Sequence, residues 1–195
     1  MPEQAAGASP KISWDHGTAY DFFASLYVIH APSDFGLRPS WAAGIRSRLS
    51  SESRDVFSVT SIHLNIPALW LHGLPQPKPA RSVLDALEAL RPEEILPALA
   101  SEPGSQEPCE LLVRKVRDQG RWDEADVEAY LACMAPTYKK TPAGEPKTIG
   151  RWLDCWARPD RFGESFRQGL LEFYEVFFRE EERGILPDLE RALAR

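Results

Sequence analysis

Histidine and cysteine are the residues best suited to hold a metal ion or to act as a nucleophile, and this chain carries few of them. Eight residues separate His63 from His72, too many for the HExxH spacing that places two imidazoles one helical turn apart. Cys109, Cys133 and Cys155 follow one another at intervals of 24 and 22 residues, which fit neither a CxxC metal site nor a small disulfide framework. We therefore predict no metal site, three reduced thiols, and histidines that lie in the core or at the surface.

The familiar catalytic and nucleotide-binding motifs are also missing from the sequence. It contains no G-x-S-x-G, no G-x-G-x-x-G and no G-x-x-x-x-G-K-[ST]. No combination of serine, histidine and aspartate can be singled out as a nucleophilic triad. The sequence therefore predicts a protein that is not an enzyme and needs no cofactor, while an enzyme with a site invisible in sequence stays as the last of three hypotheses.

Four arginines surround a short segment that could imitate a DNA-reading unit: Arg38, Arg46, Arg48 and Arg54. Glu52 and Asp55 interrupt this patch, and arginines on short amphipathic helices more often form a solvated face with local ion pairs. The net charge of −6 gives no electrostatic reason to approach nucleic acid or an anionic membrane. We predict that this polypeptide alone does not bind DNA specifically.

Aromatic side chains at helical spacing could line an apolar ligand cavity between helices. The candidate pocket residues are Tyr27, Trp70, Trp152, Trp156 and Tyr174. Such residues more often bury area for stability, so core packing is the competing interpretation. A second candidate site is an association surface near the C-terminus, because exposed apolar stripes usually mark an interface. Its residues are Phe178, Ile185, Leu189 and Leu193.

The composition is that of a globular chain, with 43% apolar residues and no run of about 18 apolar residues that could span a bilayer. No apolar stretch typical of a signal peptide follows the first methionine, so we expect a cytoplasmic protein with no membrane partner. The chain has seventeen prolines, and eight of them cluster in three stretches, at 73–80, 101–108 and 135–146. Each cluster should end a helix, because proline removes a backbone donor and extends the residue before it.

Between these loops the apolar residues repeat with a helical period. Helices are predicted at 15–30, 81–90, 92–100, 109–119, 123–134, 147–157 and 159–182. Ser13 or Asp15 is expected to cap the first helix, and Asp123 or a neighbour opens the fifth. The apolar pattern resumes after Gly184 and Pro187 and continues to the end of the chain.

The segment 52–73 is ambiguous. Alternating residues at 56–64 fit a strand, whereas Val56, Val59, Thr60 and His63 fit one helix face. An isolated strand needs a partner for its backbone groups, and the chain supplies no convincing one. We predict a helix to about residue 63, an extended break at 65–67, and a short helix through Leu71.

The aromatic segment WDHGTAYDFFASLYVIH at 14–30 and the following FGLRPSWAAGIRSRL at 35–49 resemble the helical N-terminal region of bacterial ArsR-type winged-helix transcription regulators. The C-terminal FFREEERGILPDLERALAR is similar to the segment that leads into their winged helix. The resemblance covers residues from about 12 to 193 and rests on packing motifs. No winged helix follows here, so the last helix, at about 183–195, is expected to lead into a DNA-binding domain outside this chain.

Together these observations predict an all-α, multi-helix orthogonal or bundle-like domain of about eight to ten helices, with no convincing sheet. Residues 1–11 are expected to be a disordered tail and 12–195 a single domain in which Phe22, Phe23 and Tyr27 pack on the 160–182 helix. The resemblance implies a regulatory module for ligand sensing or homodimerisation, with a small apolar ligand. The alternative is a stand-alone protein-interaction domain.

Overall fold

A computed structural model of the chain describes residues 15–100 and 107–193. Every regular element in these ranges is helical, which confirms the predicted all-α class. The tail predicted at 1–11 lies outside the described residues. None of the described helices combines the length and apolar character needed to cross a membrane.

The helices are α1 (Ala19–His30), α2 (Pro39–Arg46), α3 (Ser51–His63), α4 (Ala68–Gly73), α5 (Ala80–Glu88), α6 (Pro92–Leu99), α7 (Glu107–Gln119), α8 (Glu124–Cys133), α9 (Pro146–Ala157), α10 (Pro159–Phe173) and α11 (Arg179–Leu193). A π turn at Tyr174–Phe178 joins α10 and α11 into one continuous rod, and 3₁₀ turns lie at Pro32–Phe35, Tyr138–Lys140 and Pro142–Gly144. Counted with that rod as one, the described ranges hold ten helices.

The ambiguous segment is helical, as predicted. The hydroxyl of Ser50 accepts a hydrogen bond of 3.1 Å from the Ser53 backbone N–H and caps α3. Leu64 is extended after the last turn of α3, and α4 begins just beyond Pro67. The chain therefore breaks where proline disfavours a helical residue before it.

The expected cap of α1 is wrong. The helix begins at Ala19, after Thr18, and the Ala19 N–H donates to the Lys78 carbonyl at 2.9 Å. The Asp15 carboxylate lies before the helix and binds the Lys78 ammonium at 2.6 Å, because that buried cation needs an opposite charge. Gly17 has a φ of 130°, and a Cβ there would lie 2.1 Å from the Lys78 carbonyl oxygen, so only glycine fits this crossing.

The centre of the core is α10, which packs against α3, α5 and α6. Phe166 and Phe173 are fully buried on it and meet Phe57 of α3, with ring centroids 6.0 and 6.2 Å apart. Gly163 lies where α10 crosses α6, and a Cβ there would lie 2.0 Å from the Pro92 carbonyl oxygen. The missing side chain is therefore what permits this close approach of two helices.

The π turn places two phenylalanines on the same face of the rod. Phe173 and Phe178 are five residues apart and both buried, and their ring centroids lie 5.8 and 4.9 Å from that of Phe22 in α1. In an ordinary α-helix, side chains five residues apart point to different sides of the helix. The backbone hydrogen bonds of a π turn join residues i and i+5 and bring both rings to the same side. The predicted packing of Phe22 on this helix is confirmed. Phe23 is also buried, with its ring against Trp70, whereas Tyr27 is only half-buried.

The rod is longer than the pattern indicated. The pattern predicts one helix over 159–182 and a last helix at about 183–195, but the structure joins the two, and the helix passes through both Gly184 and Pro187. Residues on both sides of the proline already fit one helix face, so the period is uninterrupted. A proline costs one backbone hydrogen bond without ending a helix that is otherwise supported.

A second group of helices, α7, α8 and α9, packs together and joins the rest through α9, which contacts α3 and α10. Asp123 caps α8 as predicted, accepting from the Asp126 N–H at 3.1 Å. Lys115 of α7 binds the buried Asp126 carboxylate at 2.6 Å. This ion pair holds α7 against the first turn of α8.

Candidate functional site

An open cleft of about 650 Å³ lies between the α7–α9 group and the ends of α3 and α6. We call it the cleft throughout. Its lining residues come from six helices and the loops next to them: His63, Leu64, Asn65, Leu69, Pro97, Leu99, Ala100, Cys109, Glu110, Val113, Arg114, Arg117, Tyr130, Trp152 and Trp156.

Helix α9 supplies the two tryptophans of the cleft. Ile149, Trp152, Leu153 and Trp156 repeat at i, i+3, i+4 and i+7 and are all buried on one face. Gly150 lies beside them, and a Cβ at this position would lie 2.9 Å from the Trp122 ring. A neighbouring indole can therefore pack directly on the helix backbone and fix its position.

The wall of the cleft is a set of aromatic rings in contact. His63 stacks on Trp152 with centroids 5.4 Å apart and an interplanar angle of 15°. Trp152 meets Trp156 edge to face at 6.0 Å, and Tyr130 meets His63 in the same manner at 6.3 Å. His63 and Tyr130 are the half-buried members of this wall, whereas Trp152 and Trp156 are 3% and 7% exposed. Stacked and edge-to-face contacts are the arrangements that aromatic rings prefer.

The titratable groups of this wall are neutral near pH 7. Burial lowers the pKa of His63 to about 4, although a hydrogen bond with the Thr148 backbone opposes this change. Burial raises the pKa of Tyr130 to about 12, and it raises that of the Cys109 thiol to about 12 together with a hydrogen bond to Cys133. The interior of the cleft therefore carries no charge at neutral pH.

Two nitrogen atoms of lining residues are buried without a hydrogen-bond partner among the described residues. They are Nε1 of Trp156 and Nε2 of His63. An unpaired buried donor or acceptor costs about 1–3 kcal/mol. Most buried polar atoms in folded proteins have a partner, so these two are unusual. They are polar groups of the lining residues that a ligand could satisfy.

The charged side chains lie at the rim, on α7. Arg114 and Arg117 are one turn apart, and Glu110 lies one turn before Arg114. These lining residues carry two positive charges and one negative charge beside a neutral interior, and the exposed carboxylate of Asp118 lies next to Arg117.

Only part of the predicted pocket assembles. Trp152 and Trp156 line the cleft, but Tyr27, Trp70 and Tyr174 do not. Trp70 packs edge to face on Phe23 at 6.5 Å. The hydroxyl of Tyr174 donates to Glu182 at 3.0 Å. Helix α1, with Tyr27, packs on α2, α3 and α5, whereas α9 packs on α7 and α8, so the five aromatics belong to different parts of the fold.

The predicted association surface also changes. Phe178 does not belong to it, because its side chain is 2% exposed and packs on Phe22. Ile185 and Leu193 are exposed and Leu189 is half-buried on the outer part of α11. The apolar face that is buried at Phe178 therefore continues along α11 as a more open stripe, which we call the α11 stripe and which comprises Ile185, Leu186, Leu189 and Leu193.

Two polar clusters inside the fold were not predicted from the sequence. Asp15 accepts hydrogen bonds from Lys78, Tyr20 and Gln76 at 2.6 to 2.7 Å. The bond from Lys78, followed by those from Tyr20 and His72, holds the pKa of its carboxyl far below the usual value. Glu182 is buried and accepts from Thr18, Tyr174 and the Ala80 backbone N–H. Partners about 60 to 160 positions apart leave no local signal. Neither cluster lines the cleft, and both hold helices together.

The four arginines considered for DNA contact are partly engaged within the fold. Arg46 donates to the Ile29 carbonyl, and Arg54 donates to the Leu49 carbonyl at 2.5 Å. These bonds fit the interpretation of a structural surface. Within 15–100 and 107–193, no three His, Cys, Asp or Glu side chains lie together as metal ligands would.

Comparison of the chain with protein-family models, characterised proteins and solved structures gave no match. The resemblance to ArsR-type regulators therefore stays a prediction from the sequence motifs.

Proposed function

We propose that this protein is a ligand-sensing module that binds a small, mainly apolar molecule in the cleft. The observation that carries the proposal is the aromatic wall of His63, Tyr130, Trp152 and Trp156 beside an open volume of about 650 Å³. Sites for small molecules are concave, largely apolar, and measure about 300–1,000 Å³. A few polar groups fix the orientation of the ligand, and Trp156 Nε1 and His63 Nε2 can serve in this way.

The protonation states in the cleft favour binding over catalysis. A general base works best with a pKa near the working pH, and a nucleophilic thiol needs a lowered pKa. Here the pKa of His63 is lowered to about 4 and that of Cys109 is raised to about 12. Both changes follow from burial in apolar surroundings. They support reversible association with a ligand better than the enzyme hypothesis.

We further propose that this sensing serves a cytoplasmic transcription regulator of the kind that ArsR-type proteins represent. The support is the resemblance of the segments at 14–30 and 35–49. Arg46 and Arg54 already donate to backbone carbonyls, so this region is less suited to contact DNA phosphates. On this proposal DNA is contacted by a separate domain. The negative net charge of these 195 residues suits a ligand-sensing domain better than a DNA-binding domain.

Self-association is a second role that a specific observation favours. The α11 stripe presents Ile185 and Leu193, with 39% and 55% of their surface exposed, along one helix face. Two copies of such a stripe can pack on each other about a twofold axis, as in the commonest homo-oligomers. A stand-alone interaction domain, the alternative function, would use the same stripe.

A neutral dye tests the cleft directly. N-phenyl-1-naphthylamine brightens on entering apolar sites, and we expect saturable brightening with the wild-type protein. Leu69 is 51% exposed and lines the cleft, whereas Leu111 is 57% exposed and does not. Leu69→Asp brings a carboxylate to the apolar site and should weaken binding about tenfold, which corresponds to about 1.4 kcal/mol. Leu111→Asp, the matched control, should bind as the wild type does.

Two results would contradict the proposal. One is an absence of saturable brightening with a folded protein. The other is equal dye affinity in the two leucine variants, because the dye would then occupy another apolar surface, such as the α11 stripe.

A further inference from the structure

The charges at the rim of the cleft differ from those of the chain as a whole. The interior is neutral because His63, Tyr130 and Cys109 are held in their uncharged forms. The lining residues at the rim are Arg114, Arg117 and Glu110, and the carboxylate of Asp118, outside the lining, contacts Arg117. A ligand that enters rings first would therefore leave its other end beside two guanidinium groups.

The two arginines retain donors for a ligand. Arg114 is exposed and forms no ion pair with any residue that the structure describes. Arg117 contacts Asp118 through Nε at 3.4 Å, a long contact with an exposed carboxylate. A guanidinium has five N–H donors in a planar fork that matches a carboxylate, so Arg117 keeps donors at its terminal nitrogens.

We propose that the ligand of the cleft is a flat aromatic or heteroaromatic acid, with its ring system on the aromatic wall and its carboxylate at Arg114 and Arg117. This inference rests on the proposed function and adds the chemical class of the ligand. The half-buried rings of His63 and Tyr130 are available for stacked and edge-to-face contacts, and the unpaired indole N–H of Trp156 can donate to a ring heteroatom or carbonyl. Charge-assisted bonds to arginine then distinguish an acid from its neutral analogues.

An aromatic wall can also attract a cation through the faces of its rings. The rim of the cleft favours the acid, because a ligand cation would meet two arginines and one glutamate. A cationic ligand is therefore the competing chemistry that the experiment must exclude.

Three probes with the same ring separate these chemistries: 2-naphthoate, the neutral 2-naphthamide and the cationic 2-naphthylmethylammonium. We expect naphthoate to bind the full chain about tenfold more tightly than the amide, the effect of one charge-assisted hydrogen bond. The ammonium should bind most weakly. The advantage of the acid should shrink at high salt, because the arginines are at the surface. Calorimetry or tryptophan fluorescence provides the affinities.

Variants of the arginines test whether Arg114 and Arg117 cause the preference for the acid. The double change Arg114→Gln and Arg117→Gln should remove the advantage of naphthoate and leave the affinity for the amide unchanged. Arg121→Gln removes an exposed arginine that does not line the cleft and should leave both affinities unchanged. This control separates local contact from a general change in net charge.

The outcomes distinguish the two proposals. Equal affinity for acid and amide, tighter binding of the ammonium, or an advantage of the acid that survives the double change would overturn the acidic ligand while leaving a cleft that binds apolar rings. If none of the three probes binds and the neutral dye also fails to bind, the proposed function itself is wrong.

Discussion

Glu182 shows how one side chain can connect distant parts of this fold. Its carboxylate is buried where α11 passes the start of α5, and it accepts hydrogen bonds from the Ala80 N–H at 2.8 Å and the Tyr174 hydroxyl at 3.0 Å. The Thr18 hydroxyl before α1 donates to the same carboxylate. A negative charge at the N-terminus of a helix is also stabilised by the backbone dipoles. Three elements are thereby held at one point.

Replacing this carboxylate should destabilise the protein clearly. Glu182→Ala removes the acceptor of the buried Thr18 hydroxyl and leaves the Ala80 N–H with only the Thr18 oxygen, 3.0 Å away. We expect the free energy of unfolding in urea to fall by about 1–3 kcal/mol. The neighbouring Glu181 is exposed, so Glu181→Ala should change it by less than about 0.5 kcal/mol. Equal effects of the two changes would show that Glu182 does not hold these helices together.

His63 should make stability depend on pH. Its pKa is lowered from 6.5 to about 4 in the folded protein, so the unfolded chain binds a proton first as the pH falls. The contribution of the neutral ring to the free energy of unfolding is complete above about pH 6.5 and is lost as the pH falls towards about 4.

Urea unfolding at about pH 7.5 and about pH 5 measures this contribution. Between these values His63→Gln should reduce the loss of stability by about 1–2 kcal/mol relative to the wild type. Burial also lowers the pKa of His30, so adding His30→Gln should flatten the dependence further. A pH dependence in His63→Gln identical to that of the wild type would place the His63 ring in solvent.

At the scale of the elements, the crossing of α10 and α6 depends on Gly163. Gly163→Ala would bring a methyl group against the Pro92 carbonyl, which cannot move without shifting α6. We expect a loss of about 1–3 kcal/mol or more, as for other overpacked sites. Gly184 lies on the same rod with nothing within 4 Å, so Gly184→Ala should instead stabilise by about 0.5–1 kcal/mol through helix propensity. Thermal unfolding of both variants measures these changes. If both variants were stabilised or both destabilised, the close crossing of α10 and α6 would be contradicted.

The α11 stripe allows a separate prediction about association. Leu189→Asp and Leu193→Asp place charges on the apolar face and should shift sedimentation from dimer towards monomer while the helical circular dichroism is kept. Leu111→Asp, at a leucine with 57% exposure against 55% for Leu193, should leave the assembly unchanged. A wild-type monomer whose stability collapses with the α11 changes would assign the stripe to the intramolecular core.

At the scale of the whole molecule, local patterns predicted more of the fold than of the site. The all-α class and the break at 65–67 follow from period and proline, which act over a few residues. The cleft joins the end of α3 to α7 and α9, which are far apart in sequence, so period alone could indicate Trp152 and Trp156 but not His63 or Cys109 as their neighbours. The continuous rod was not predicted, because Gly184 and Pro187 are residues that usually mark the end of a helix.

The two groups of helices enclose the cleft where they meet. The group around α10 contributes the ends of α3 and α6, including His63 of the aromatic wall, and the α7–α9 group contributes the other three rings of the wall and the charged rim. Sites between packed units are common for small ligands. The central claim is that this meeting place binds a small aromatic molecule.

The most direct test is the indole N–H region of a ¹⁵N-resolved NMR spectrum, recorded while 2-naphthoate is added. The chain has six tryptophans, whose signals can be assigned by single Trp→Phe changes. We predict that the signals of Trp152 and Trp156 shift saturably, that of Trp156 the most because its N–H has no partner among the described residues, while those of Trp41 and Trp70 stay in place. Shifts confined to Trp41 or Trp70, or no saturable shift of any indole signal, would contradict the account.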